Sequence, residues 1–60
     1  MKSITIIESD QFGYDHTFVI RLCESGVSLA EIDPDFGFES FRGVFGSEAA
    51  AIDRIEMLMN

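Results

Sequence analysis

The chain has 60 residues, which limits it to one domain, and its 47% hydrophobic content is too high for a disordered segment. Eleven acidic residues against four basic ones give a net charge of −7, which disfavours direct contact with nucleic acid or an anionic membrane and favours a basic partner. One Cys and one His exclude an intrachain disulfide and a Cys/His zinc site.

The first two predicted elements are strands joined by a hairpin loop. Ile4 and Ile6 alternate with polar residues, which predicts a strand over Ser3–Glu8. The polar, Gly-containing segment 9–15 predicts the loop. The pattern over His16–Cys23 predicts the strongest strand of the chain, whose apolar face carries Phe18, Ile20 and Leu22.

Two further strands are predicted after a tight turn at residues 24–26. The third strand covers Val27–Asp33 and ends before Pro34, which cannot donate to a ladder. Its inward residues are either Val27 with Leu29 or Ala30 with Ile32. The four Phe and two Gly of Phe36–Phe45 predict a short, irregular or bulged strand.

The last predicted element is a helix. Ser47 is a favourable N-cap, and Glu48 places an acid in the first turn, where the helix dipole stabilises it. The apolar face of this helix is predicted to carry Ala51, Ile52, Ile55, Leu58 and Met59. The order predicts a single α+β domain over residues 1–60: a three- to four-stranded antiparallel sheet with one C-terminal helix packed on a face (βββα).

The residues that could carry chemistry do not form a catalytic or metal-binding set. Cys23 and His16 are seven residues apart on one strand, about 23 Å, so they cannot act as a nucleophile and base. We expect His16 to be a structural or surface residue and Cys23 to be half-buried. A calcium loop starting at Asp33 fails because its sixth position is Phe38 instead of Gly. The sequence therefore predicts no enzyme, no cofactor and no metal site.

Residues 8–39 carry the whole net charge, with eight acids against Arg21 alone. Alternate residues of a strand lie about 6.5–7 Å apart on one face, a relation predicted for Glu31 and Asp33. Carboxylates at this interval resemble a row of phosphates and suit a Lys/Arg groove. Phe12, Tyr14 and Phe36 are candidate anchors of such an interface. The predicted partner-binding residues are Glu8, Asp10, Asp15, Glu31, Asp33, Asp35 and Glu39.

In its length, its βββα plan and its acidic segment Glu8–Glu39, the chain resembles the very small acidic anti-CRISPR proteins of phages, of the type I kind that mimics DNA. The resemblance implies an inhibitor without catalytic residues in the cytoplasm of a bacterial host. Its implied partner is the basic DNA-binding groove on the large subunit of a type I surveillance complex, where the PAM is recognised. We expect a monomer or a weak homodimer.

Two alternatives remain open at this stage. The turn Asp10-Gln11-Phe12-Gly13-Tyr14 between two strands, followed by a late helix, is similar to the fold of HicB-type antitoxins. This resemblance implies a small regulatory module that binds a basic toxin. The second alternative is a structural or assembly protein that forms a homo-oligomer through Phe41, Phe45 or Met57, with its acids serving solubility.

Overall fold

Four antiparallel strands form one sheet, and a single helix packs on one of its faces. The computed structural model describes residues 2–60. Neighbours in the sheet are also neighbours in the chain, in the order β1-β2-β3-β4. This arrangement confirms the predicted α+β fold and gives it four strands. The elements are β1 (Ser3–Ser9), β2 (Asp15–Cys23), β3 (Gly26–Ile32), β4 (Glu39–Phe45) and α1 (Glu48–Met59).

The core lies between α1 and the sheet, and the register of the strands accounts for it. Ile6 lies opposite Phe18, and Ile20 lies opposite Leu29, so that apolar side chains line the middle of one face of the first three strands. Phe18 lies at the centre of this face and is 0% exposed. Of the two pairs predicted as the inward residues of β3, Val27 and Leu29 face the core. The core cluster comprises Phe18, Ile20, Val27, Leu29, Ala51 and Ile55, with Ile4, Ile6, Phe45 and Met59 packed around it.

The bulge predicted in the last strand is confirmed. Leu29 pairs with Gly43 but Ala30 pairs with Phe41, so Arg42 is the extra residue of β4. The φ of Gly43 is 130°, which favours glycine at this step. The predicted start at Phe36 was wrong, because residues 33–38 close a loop before β4 begins.

Helix α1 begins as predicted but buries a narrower face. The Ser47 Oγ atom accepts from the amide of Ala50 at 3.2 Å. Ala51 and Ile55 are buried, whereas Ile52 and Leu58 are exposed, which corrects the predicted apolar face. A single helix on one sheet has no second layer to cover its flanks. Within residues 2–60, no helix has the length and apolar character needed to cross a membrane.

The path of the chain places two loops at the same end of the sheet. Because the strands alternate in direction, the β1–β2 loop (residues 10–14) and the β3–β4 loop (residues 33–38) lie together, and the β2–β3 turn lies at the other end. Helix α1 runs back toward the two loops, where Met59 and Asn60 line a cleft with residues 8–11. We call the two loops and the strand residues next to them the loop end.

Candidate functional site

The loop end collects all seven acids that the sequence singled out. They are Glu8, Asp10 and Asp15 on the first hairpin, and Glu31, Asp33, Asp35 and Glu39 on the second. The chain has 11 acidic residues, so most of its negative charge lies at this end. By contrast, Glu24 lies in the turn at the opposite end of the sheet, and Glu48 begins the helix there.

Two of these acids hold the two loops in the same way. The Asp10 Oδ1 atom accepts from the amides of Phe12 at 2.8 Å and Tyr14 at 3.0 Å. The Asp33 Oδ1 atom accepts from the amides of Asp35 at 2.7 Å and Phe36 at 2.9 Å. Carboxylates that bond the backbone two residues further on stabilise turns. Each loop is therefore fixed by its own first acid.

This capping changes the predicted layout of the carboxylates. The expectation of a strand-spaced row assumed that Glu31 and Asp33 lie in one strand, but β3 ends at Ile32. Asp33 instead directs its carboxylate to the amides of its own loop. The acids consequently form a cluster around two loops and not a straight row along a strand.

His16 links two of the predicted acids. Its Nε2 atom lies 2.8 Å from the Oδ2 of Asp10, and its Nδ1 atom lies 2.9 Å from the Oε2 of Glu31. Arg42 donates to the Oε1 of the same glutamate from NH2 at 3.0 Å and from Nε at 3.3 Å. We call Asp10, His16, Glu31 and Arg42 the His16 cluster. It connects the β1–β2 loop to β2, β3 and the bulge of β4.

The pKa values within the cluster favour its charged form. Hydrogen bonds first to Glu31 and then to Asp10 raise the pKa of His16, and the bond from His16 lowers the pKa of Asp10. Burial by itself raises the pKa of Glu31, but bonds from His16 and Arg42 outweigh it and lower the net value. Both ring nitrogens of His16 face acceptors, and only the imidazolium donates from both. The cluster then contains two negative and two positive charges.

A second ion pair engages Glu39. The guanidinium of Arg21 makes a two-pronged contact with this carboxylate, with 3.0 Å between NH2 and Oε2. The pair joins β2 to β4 across β3. Asp10, Glu31 and Glu39 are thus neutralised by internal partners. Four of the seven predicted acids make no ion pair within residues 2–60: Glu8, Asp15, Asp33 and Asp35.

Four exposed aromatic side chains lie in the same two loops. The three predicted anchors are all exposed: Phe12, Tyr14 and Phe36. Phe38 is a fourth, and its ring lies 6.1 Å from that of Phe36. Large aromatic groups are enriched in protein interfaces, and charged groups are typical of the rim around them. The loop end therefore combines unpaired carboxylates with an exposed aromatic group.

An acidic cleft of about 340 Å³ opens between the first hairpin and the end of α1. The C-terminal end of a helix carries partial negative charge, which adds to that of the carboxylates nearby. The described residues contain no group of three or more His, Cys, Asp or Glu side chains placed to hold a metal ion. The cleft is lined by Glu8, Ser9, Asp10, Gln11, Glu56, Met59 and Asn60.

The sequence predicted the environment of His16 correctly and that of Cys23 incorrectly. His16 is a partly buried structural residue, whereas Cys23 is exposed, so the expectation that it is half-buried was wrong. Sequence reasoning missed the contact between His16 and Glu31. The sequence signal for this contact was the tight turn after Cys23, because the turn sets the register that places Glu31 opposite Phe18. Glu31 is then the diagonal neighbour of His16 on the same face of the sheet.

The chain is thus a small α+β protein with an acidic, aromatic loop end. Comparisons with protein-family models, with curated proteins and with solved structures give no match. The chemistry of the loop end is therefore the basis for inferring a function.

Proposed function

We propose that the chain is a stoichiometric inhibitor that binds through its loop end to a Lys/Arg-lined groove that otherwise holds DNA. It acts by occupying the groove and not by catalysis. The observation that supports this proposal is the clustering of seven acids and four exposed aromatic residues at one end of the sheet. In line with its resemblance to type I anti-CRISPR proteins, the proposed partner is the PAM-recognising groove of a surveillance complex in the bacterial cytoplasm.

Electrostatics favours this end of the molecule for a basic groove. Asp15, Asp33 and Asp35 make no ion pair within residues 2–60, so their field acts on the surroundings. The free carboxylate oxygens take the same Arg and Lys donors as phosphate oxygens. A concentrated negative end also steers a positively charged partner toward it, which speeds association.

The aromatic residues supply affinity that charge alone does not. Guanidinium groups stack on aromatic rings while they donate to carboxylates, and Phe12, Tyr14, Phe36 and Phe38 offer such rings next to the acids. Because Asp10 and Asp33 already bond the amides of both loops, binding needs little further ordering of the backbone.

The direct experiment measures DNA binding by a purified type I surveillance complex as this protein is added. The variant Asp15→Asn/Asp33→Asn/Asp35→Asn removes three charges from the loop end while retaining side-chain acceptors. The control Glu24→Gln/Glu48→Gln/Asp53→Asn removes three charges from exposed positions outside the loop end. We expect the first variant to lose most of the inhibition, at least about tenfold, and the control to retain it.

Salt provides a second readout of the same experiment. Inhibition by charge mimicry should weaken as ionic strength rises, since exposed charges are screened beyond about 8 Å at physiological salt. Equal loss in both triple variants, or DNA binding that is unchanged at saturating protein, contradicts the proposal. Capture of a basic toxin in a defined complex, with no effect on DNA binding, would support the HicB-type alternative instead.

A further inference from the structure

The sheet face opposite α1 is not covered by any element within residues 2–60. The strand register arranges it as three rows of four residues. We call this surface the open face. Its rows are Ile7-Thr17-Ile32-Glu39 near the loops, Thr5-Val19-Ala30-Phe41 across the middle, and Ser3-Arg21-Ser28-Val44 near the turn.

The charge of the open face differs from that of the rest of the molecule. Among its twelve residues only Arg21 and Glu39 are charged, and these two bind each other. The three rows are therefore neutral on a chain whose net charge is −7. Asp15, which pairs with Ser9 just beyond the first row, is a further acid on the same face and lies at its loop edge. The remaining polar residues of the three rows are Ser and Thr, whose hydroxyl groups are adaptable at an interface.

The open face also exposes large apolar side chains. Phe41 is 69% exposed and Ile7 is 65% exposed. Val44 is exposed on the same strand as Phe41. The less exposed Val19, Ala30 and Ile32 complete an apolar set that makes up half of the twelve positions. Sheets with one solvated face usually alternate apolar and polar residues, so a half-apolar second face indicates a surface that becomes covered.

We propose that a second copy of this chain covers the open face, so that two sheets stack face to face as a homodimer. Two copies that approach through any acidic surface repel each other, whereas the neutral open faces meet without that penalty. Repulsion between loop ends favours the arrangement in which the two loop ends point in opposite directions. Both loop ends then stay free in the dimer.

The size of the face suits a weak, reversible dimer. Three rows about 6.7 Å apart, across four strands about 4.8 Å apart, cover about 19 Å by 20 Å, or roughly 400 Å² if the face is treated as flat. A standard stable interface buries about 800 Å² on each partner, so the open face is about half that size and lies in the range of weak, transient interfaces. Self-association of this kind is also a common source of stability in chains with small cores and no disulfide or metal.

Sedimentation velocity over a wide concentration range tests the dimer on the full chain. Phe41→Lys places a charge at the centre of the proposed interface, and Phe36→Lys makes the same change at a similarly exposed Phe in the β3–β4 loop. We expect a concentration-dependent dimer that Phe41→Lys weakens at least about tenfold and Phe36→Lys leaves intact. Circular dichroism confirms that both variants fold, which their exposed positions favour.

Several results would overturn the inference. A monomer at every concentration up to about 1 mM would do so, because even a weak specific interface of this kind populates a dimer there. A dimer unaffected by Phe41→Lys would place the contact elsewhere, and loss of the dimer in Phe36→Lys alone would place it at the loop end. Salt separates this inference from the proposed function, because a neutral interface holds at high salt where binding to a basic groove weakens.

Discussion

The Nδ1 atom of His16 lies 2.9 Å from the Oε2 of Glu31, and this contact ties the second strand to the third at the loop end. Both side chains are only partly exposed, and the same histidine bonds Asp10 of the first loop through its other nitrogen. One imidazole ring therefore holds two acidic groups that would otherwise repel each other.

The His16 cluster makes stability depend on pH. The pKa of His16 is raised above its ordinary value of 6.5, so its contribution is complete below pH 6.5 and is lost as pH rises through the raised value. The pKa values of Asp10 and Glu31 are lowered from 3.8 and 4.5, so their contribution is lost only as pH falls through the lowered values. We expect the cluster to be most stabilising between these limits.

Urea denaturation at pH 6 and pH 8 measures this effect through the midpoint. The urea midpoint of the wild-type protein should be lower at pH 8 than at pH 6. His16→Gln should remove most of this difference because Gln does not titrate. Because the chain has a single His, its ring C–H resonances in NMR need no assignment among several histidines, and their titration reports its pKa directly. A resonance that titrates at or below 6.5 would contradict the bridging role.

Two isoleucines of α1 provide a matched test of the core. Ile55 is 1% exposed against the sheet, and Ile52 is 38% exposed on the flank of the same helix. Ile55→Ala removes buried apolar volume and should cost about 2–5 kcal/mol, a large part of the total stability of a small domain. Ile52→Ala should cost less than about 1 kcal/mol. Denaturant unfolding of both variants checks the difference, and equal losses would contradict the packing of α1.

Gly26 is required by the backbone at the β2–β3 turn. Its φ is 135°, and a Cβ at this position would collide with the carbonyl oxygen of Phe45 in β4. Gly26→Ala should therefore destabilise the protein by more than about 1 kcal/mol. Gly46→Ala is the control, because its Cβ would meet open space and its φ is not positive. Thermal unfolding should show a lower Tm for the first variant and an equal or slightly higher Tm for the second.

The sequence predicted what depends on local pattern and missed what depends on how strands meet. The alternation of apolar and polar residues in β2 predicted Phe18 and Ile20 as core residues, and Gly43 with the surrounding Phe residues indicated the bulge. The bond between Arg42 and Glu31 could not be predicted, because it depends on the bulge position in β4. Ile52 was misassigned because helical spacing does not show how far a sheet extends beneath a helix.

Asp33 allows loop structure and charge to be separated in a binding experiment. Its Oδ1 atom caps the β3–β4 loop, a role that an Asn side chain oxygen can perform without the negative charge. Asp33→Asn should therefore keep the protein's stability and weaken the proposed binding to a basic groove, with the weakening reduced at high salt. Asp33→Ala removes both cap and charge, so it should lower stability as well, by about 0.5–2 kcal/mol.

Binding and unfolding measured on the same two variants decide between the two roles of Asp33. If binding depends on charge, Asp33→Asn and Asp33→Ala lose similar affinity despite different stabilities. If binding depends on the shape of the loop that presents Phe36, Asp33→Asn binds like the wild-type chain and only Asp33→Ala is impaired. The second outcome would contradict charge mimicry at this residue, because the carboxylate would then act only as a cap.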